Sequence, residues 1–205
     1  MATVILITHN HYDHLDGPSL RALPQDVMAV VPLGLGRWFR GRNRRPVCEL
    51  EWWESVEVGG LIVTLVPARH WSRRSVGDTN RSLWGGFVVE RDGCFVYHAG
   101  DSGWFDGFTE IGRRFPRLIA AILPIGAYAP SWFMEPNHMT PEQAGEAFLA
   151  LEARHLVPMH WGTFQLTDEP LSEPPERLRS WWKRAPEIAG RELHVMAVGE
   201  TLILD

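Results

Sequence analysis

The chain has 205 residues, 45% of them hydrophobic, and a formal charge of −5, which suits a single domain, residues 1–205, around one buried core. The acidic balance argues against a general nucleic-acid binder, and no segment has the uninterrupted apolar length of a membrane span. Two cysteines without C-x-x-C spacing exclude a disulfide framework.

Residues 4–7 read as a short buried strand. The loop that follows, Thr8-His9-Asn10-His11-Tyr12-Asp13-His14-Leu15-Asp16, is the most informative segment of the chain. Three imidazoles and a carboxylate within six positions exceed what packing requires. These groups suit Zn²⁺, Fe and Mn²⁺, and a bent loop can offer them to two adjacent ions. Asp16 has two readings, as acceptor of the second ring N–H of a ligand histidine or as a helix cap.

A helical turn is expected over 18–23, a strand over 27–32 and a short helix over 35–40. The basic stretch 37–45 reads as a solvated helix end and loop, with contact to anionic phospholipid head groups as the other reading. Strands are expected over 55–58, 61–67, 83–90 and 94–98, with Arg91-Asp92-Gly93 as a hairpin turn and Cys94 in the core. A helix over 108–115 and a buried strand over 118–124 follow. The helix over 141–152 has Thr140 as cap, Pro141 at its first position and Gln143 completing a capping box. A strand over 155–159, a helix over 175–184 and a β pair from 193–198 with 201–204 close the chain.

Three further candidates each end an apolar run: His70, Asp101 and His160. One His or Asp after a strand reads as a turn residue. Four strand ends that all present His or Asp would instead gather at one edge of a layered β structure, as a metal-dependent hydrolase needs. His98 reads as a structural histidine within a strand, and His155 and His194 belong to no motif.

The set His9-x-His11-x-Asp13-His14, His70, Asp101 and His160 resembles the ligands of the metallo-β-lactamase superfamily. Within it, the chain is similar to the group of N-acylphosphatidylethanolamine-hydrolysing phospholipases D. The supporting strings are Pro67-Ala-Arg-His-Trp-Ser-Arg-Arg74, Asp78-Thr-Asn-Arg-Ser-Leu-Trp-Gly85, Ala99-Gly-Asp-Ser-Gly103, Pro124-Ile-Gly-Ala-Tyr128, Trp132-Phe-Met134 and His160-Trp-Gly-Thr-Phe164. The resemblance implies an α+β fold, the αββα sandwich. It also implies two divalent ions, Zn²⁺ first and Fe or Mn²⁺ on the same ligands. His9, His11 and His70 would hold one ion, Asp13, His14 and His160 the other, with Asp101 between them. A metal-bridging hydroxide would then attack phosphorus, releasing N-acylethanolamine and phosphatidic acid, with Asp13 orienting the water or taking its proton.

By the same resemblance His138 lies near the substrate, although a pre-helix turn explains it equally. Tyr128, Trp132, Phe133 and Met134 would line the pocket. Of the ten tryptophans, Trp71, Trp104, Trp132 and Trp161, with Phe133 and Met134, suggest a groove for acyl chains and a peripheral membrane contact of a cytoplasmic protein, or ordinary packing. Family members carry strands of the first sheet ahead of the histidine loop, which here begins at the ninth residue. The chain therefore reads as the C-terminal two-thirds of the family fold, with an unpaired sheet edge that favours a homo-oligomer. A lactonase or other small-ester or phosphodiester hydrolase on the same metal centre is the alternative function, and a catalytically silent metal-binding protein is the third.

Overall fold

Alternation of apolar side chains along each strand decides the layering. A computed structural model describes residues 4–40 and 45–204. β1 (Val4–Leu6), β2 (Met28–Pro32) and β3 (Val47–Leu50) form a parallel sheet in that order, with α1 (Gly17–Ala22) and α2 (Gly36–Phe39) in the connections. Successive strand residues point to opposite faces. Ile5, Ala29 and Val31 pack with Leu20 and Phe39 of the helices, whereas Val4, Leu6, Met28 and Val30 turn the other way.

That second face meets a seven-stranded sheet built from β4 (Ser55–Val58), β5 (Leu61–Val66), β6 (Gly86–Arg91), β7 (Cys94–His98), β8 (Leu118–Pro124), β9 (His155–Met159) and β10 (Glu192–Leu193). Its spatial order is β10-β9-β8-β7-β6-β5-β4, antiparallel from β4 to β7 and parallel from β7 to β10. Val63, Leu65 and Phe87 fill the space between the sheets. On the outer face, α3 (Gly107–Arg114), α5 (Pro141–Ala150) and α6 (Glu173–Trp182) bury Phe108, Ile111, Phe148 and Leu178 against Tyr97, Ala121 and Leu123. Three apolar clusters thus separate four layers, helix, sheet, sheet and helix, the αββα sandwich that the resemblance implies. α5 starts on the predicted capping box, Gln143 N–H donating to Thr140 Oγ1 and Gln143 Oε1 accepting from Thr140 N–H.

Several expectations change. The closing β pair is replaced by the two-residue β10, which runs parallel to β9 and leaves 194–204 outside any strand. β3 was not expected, because Val47-Cys-Glu-Leu50 is short and carries a charge. Cys94 is exposed, not core, since it follows directly on the turn at Asp92 and Gly93. In the basic stretch, 41–44 lie outside the described residues. Arg45 is buried instead of solvated, its guanidinium donating to the carbonyls of Val27 (3.2 Å) and Leu20 (2.6 Å). Among the described residues no helix is long and apolar enough to cross a membrane.

Candidate metal centre

The ends of β1, β5, β7 and β9 converge on one rim of the sandwich, so both sheets contribute to the site. After β1 the chain turns sharply. The N–H groups of His14 and Leu15 both donate to the His11 carbonyl, and Leu15 anchors the loop in the small-sheet core. Arg74 supports the same loop from outside, donating to the carbonyls of Asn10 (3.1 Å) and His11 (3.3 Å). The turn after β7 packs directly on it: Gly100 has φ +63°, and a Cβ there would lie 2.8 Å from Thr8 Cβ. Only glycine allows that backbone and that approach together.

The ring nitrogens of one group face each other. His9 Nε2 lies 3.0 Å from His11 Nδ1, which lies 3.3 Å from His70 Nε2. The opposite nitrogens of His9 and His70 are held: His9 Nδ1 is 3.0 Å from Thr8 Oγ1, and His70 Nδ1 donates to the Asn137 carbonyl at 3.1 Å, whereas His11 Nε2 is buried without a partner among the described residues. The His70 bond puts its proton on Nδ1 and leaves the Nε2 lone pair facing inward, as metal-binding histidines require.

A second group lies alongside. His14 Nε2 is 3.2 Å from Asp13 Oδ2 and 3.1 Å from Asp101 Oδ2, while His160 Nε2 is 3.5 Å from Asp13 Oδ2 and 3.3 Å from Asp101 Oδ1. Asp101 also faces the first group, its Oδ2 standing 3.8 Å from both His9 Nε2 and His70 Nε2. Asp101, the buried carboxylate of this cluster, therefore stands between both donor sets.

Close approach without hydrogen bonding is what marks this cluster. Among the described residues, His14 Nε2, His160 Nε2 and Asp101 Oδ1 are buried and have no hydrogen-bond partner despite these short distances. Orphaned buried polar atoms cost free energy, of order 1–3 kcal/mol each. Donor atoms aimed at common points, and not at one another, fit divalent cations. His9, His11 and His70 form one donor set, and Asp13, His14, Asp101 and His160 the other.

Electrostatics separates the two sets. Burial holds the pKa values of His9 and His11 below the usual imidazole value and takes that of His70 down to about 3. Burial also opposes charge on His14 and His160, but the carboxylates of Asp101 and Asp13 outweigh it. They raise His160 and bring His14 up to about 10. Burial works against Asp101 ionising too, and the surrounding histidines hold its pKa well below the normal carboxylate value.

His160 occupies the left-handed region at φ +60°, and a Cβ on Gly126 would come 2.1 Å from its carbonyl oxygen. Sequence reasoning gave no sign of the group that steadies this neighbourhood. The Glu169 carboxylate accepts the backbone N–H groups of Ala127 (2.6 Å), Tyr128 (3.3 Å) and Ala129 (3.0 Å), fixing Ala127 at φ +65°. A non-glycine residue in that conformation needs such outside support.

The remaining candidates scatter more. His138 stands over the centre, its ring centroid 5.2 Å from that of His70 and 5.6 Å from that of His160, with its Nδ1 buried and without a hydrogen-bond partner. Burial lowers its pKa to about 4. Tyr128 is buried, and its hydroxyl donates to Glu173 at 2.7 Å. Trp132 and Phe133 are 81% and 61% exposed on the helical turn α4 (Ser131–Met134), which ends at the half-buried Met134. Asp16 takes the capping alternative, accepting from Ser19 N–H (2.8 Å) and Ser19 Oγ (2.6 Å) at the start of α1. A cavity of about 170 Å³ opens beside Asp13, His14 and His160, rimmed by Trp161, Phe164 and Leu166.

With fold and donor geometry in place, the protein class follows: residues 2–161 match the beta-lactamase superfamily domain, and the chain belongs to that superfamily. Within it the chain falls among the metal-dependent hydrolases. It is 33% identical over 204 residues to a UPF0173 metal-dependent hydrolase of Rubrobacter xylanophilus, covering 97% of this chain and 77% of that protein. It is also 39% identical over 184 residues to the mitochondrial N-acyl-phosphatidylethanolamine-hydrolyzing phospholipase D of Saccharomyces cerevisiae, covering 85% of this chain. The chain spans 39% of the length of that yeast relative. A novel metallo hydrolase from the archaeon Ignicoccus hospitalis shares the fold at TM-score 0.74 and 25% identity, over 98% of this chain and 78% of its own.

Proposed function

We propose that the chain hydrolyses the phosphodiester of N-acylated phosphatidylethanolamine, yielding N-acylethanolamine and phosphatidic acid. The observation that carries the proposal is the pair of donor sets meeting at Asp101, beside a cavity with the apolar rim Trp161, Phe164 and Leu166. Similarity to the yeast phospholipase D supports the choice of substrate. In this reading His9, His11 and His70 would hold one divalent ion, Zn²⁺ first, and Asp13, His14 and His160 a second, with Asp101 available to both sets. Two such ions supply a lowered water pKa and neutralisation of charge on phosphoryl and departing oxygens.

The protein's own groups do the rest. Asp13, the more exposed of the two carboxylates, orients the attacking water and receives its proton. His138 is neutral at pH 7, and its free Nδ1 hydrogen-bonds a phosphoryl oxygen. The water oxygen forms the new bond to phosphorus, the bond to the ethanolamine oxygen breaks, and the proton held at Asp13 goes to that leaving oxygen. Phe164 and Leu166, 62% and 55% exposed, present apolar surface to an acyl chain, and Trp132 and Phe133 meet the lipid surface.

A second reading, a hydrolase of lactones or other small esters and phosphodiesters, is favoured by the similarity to the UPF0173 hydrolase over most of that protein's length. Turnover of N-oleoyl-phosphatidylethanolamine in mixed micelles, with and without chelator, against a panel of lactones and bis(p-nitrophenyl) phosphate separates the two. Chelator-sensitive release of N-oleoylethanolamine is the expected result. Lactone turnover without lipid turnover overturns the phospholipase reading, and no turnover by a metal-loaded protein overturns both.

A further inference from the structure

At the opposite end of β9 from His160, three side chains that belong to no motif meet at the edge of the large sheet. Parallel pairing sets Glu192 of β10 in register with His155 of β9. Residues two apart on an extended chain point to the same side, and His194 continues the strand direction, its N–H donating to the Leu156 carbonyl at 2.9 Å. His155, Glu192 and His194 therefore converge on one face. His155 is 5% exposed, His194 half-buried and Glu192 exposed.

The distances among them all involve the same three atoms. His155 Nδ1 lies 3.0 Å from His194 Nε2 and 3.8 Å from Glu192 Oε2, and His194 Nε2 lies 3.6 Å from Glu192 Oε2. The point equidistant from such a triangle is about 2.0 Å from each corner, the bond length Zn²⁺ makes to imidazole nitrogen and carboxylate oxygen. Arg154 stands 4.0 Å from the other carboxylate oxygen, Oε1, which leaves Oε2 to the triangle. Burial keeps His155 below the usual imidazole pKa, which disfavours its protonated form. Two imidazole nitrogens and one carboxylate oxygen, with an outer side open to water, suit a borderline divalent ion such as Zn²⁺ or Cu²⁺ better than Mg²⁺ or Ca²⁺.

We propose that His155, Glu192 and His194 form a second, separate site for a divalent transition metal, which ties the edge strand β10 to β9. The alternative is a proton shared between the two facing imidazoles, with no metal affinity.

Equilibrium dialysis against Zn²⁺ alone, with metal counted by mass spectrometry, tests the proposal on the intact chain. Wild type should hold one equivalent more than His194→Ala, while hydrolase turnover stays the same. In a His11→Ala background, where the main centre is weakened, Zn²⁺ should still raise the unfolding temperature. Adding His194→Ala should shrink that rise, leaving only what the unaltered Asp13, His14, Asp101 and His160 set supplies. The affinity lost should exceed the roughly 10–100-fold effect of changing a group outside the ligand shell. If His194→Ala fails to fold, Glu192→Gln, at an exposed position, supplies the same comparison. Equal metal content in wild type and variant, or a Zn²⁺-induced rise of the same size with and without His194→Ala, overturns the proposal.

Discussion

Thr8→Val isolates what a hydroxyl behind a ligand histidine contributes. Thr8 is buried, its Oγ1 lies 3.0 Å from His9 Nδ1, and valine keeps its β-branched shape. The substitution thus removes one polar partner with little change in packing. The His9 ring is left with an unsatisfied buried nitrogen, at a cost of about 1–3 kcal/mol. It also loses the contact that turns Nε2 towards His11 and His70. Removing such an orienting group lowers metal affinity by about 10–100-fold, or roughly 1.4–2.7 kcal/mol of binding free energy. Competition with a chromophoric chelator at pH 7 measures the affinity directly, and turnover should return at saturating metal because no ligand has been lost. Thr8→Ser keeps the oxygen and should stay within a few-fold of wild type. The reasoning fails if Thr8→Val binds metal like wild type, or if Thr8→Ser loses as much.

Further outcomes follow from the same geometry. His11→Ala and Asp101→Asn should lower metal content and reduce turnover by roughly 100-fold or more, read by metal analysis beside the lipid assay; full activity in either refutes the ligand assignment. Glu169→Gln places an amide N–H₂ where two carboxylate oxygens accept three backbone N–H groups, so it should cost about 1–3 kcal/mol, or roughly 2–10 °C in Tm by calorimetry. In the metal-free protein, the raised His14 pKa contributes stability that is fully present below pH 6.5 and is lost as pH rises through about 10; denaturant titrations across that range should show the decline, and bound metal should remove it. Trp132→Ala/Phe133→Ala should weaken co-sedimentation with anionic liposomes several-fold at low salt, and a wild-type protein that does not co-sediment refutes the membrane contact.

What was legible in the sequence was local. His9, His11, Asp13 and His14 sit on one loop, and the apolar strings before His70, Asp101 and His160 marked them as strand ends, so the donor set could be assembled without coordinates. α5 was equally plain, because its cap is written within four residues. The groups that orient the ligands were not legible. Asn137 reaches His70 through a backbone carbonyl 67 positions away, and Glu169 reaches Ala127 across 42; neither residue type nor spacing announces such a contact. His155 and His194 were set aside for the same reason, since only the parallel register of β9 and β10 brings them together. Of the aromatics read as an acyl groove, Trp104 and Trp161 pack against the outer helical core whereas Trp132 is exposed, so position beside a ligand alone could not sort surface from interior.

The two halves of the centre should differ in how they take up metal. His9, His11 and His70 are neutral at pH 7, because burial lowers all three; a cation entering among them displaces little or no proton. His14 holds its proton against Asp13 and Asp101, and the same carboxylates favour the protonated form of His160; any proton so held must be released before the ring can donate a lone pair. Metal affinity at that half should therefore rise with pH, up to tenfold per unit for each proton displaced, until His14 titrates near pH 10. The first half should show no such slope near neutrality. Asp101 couples the two: a cation held by His9, His11 and His70 competes for the same carboxylate that keeps His14 and His160 protonated. Filling one side thus eases deprotonation on the other, and loading should be sequential, beginning with the three-histidine side.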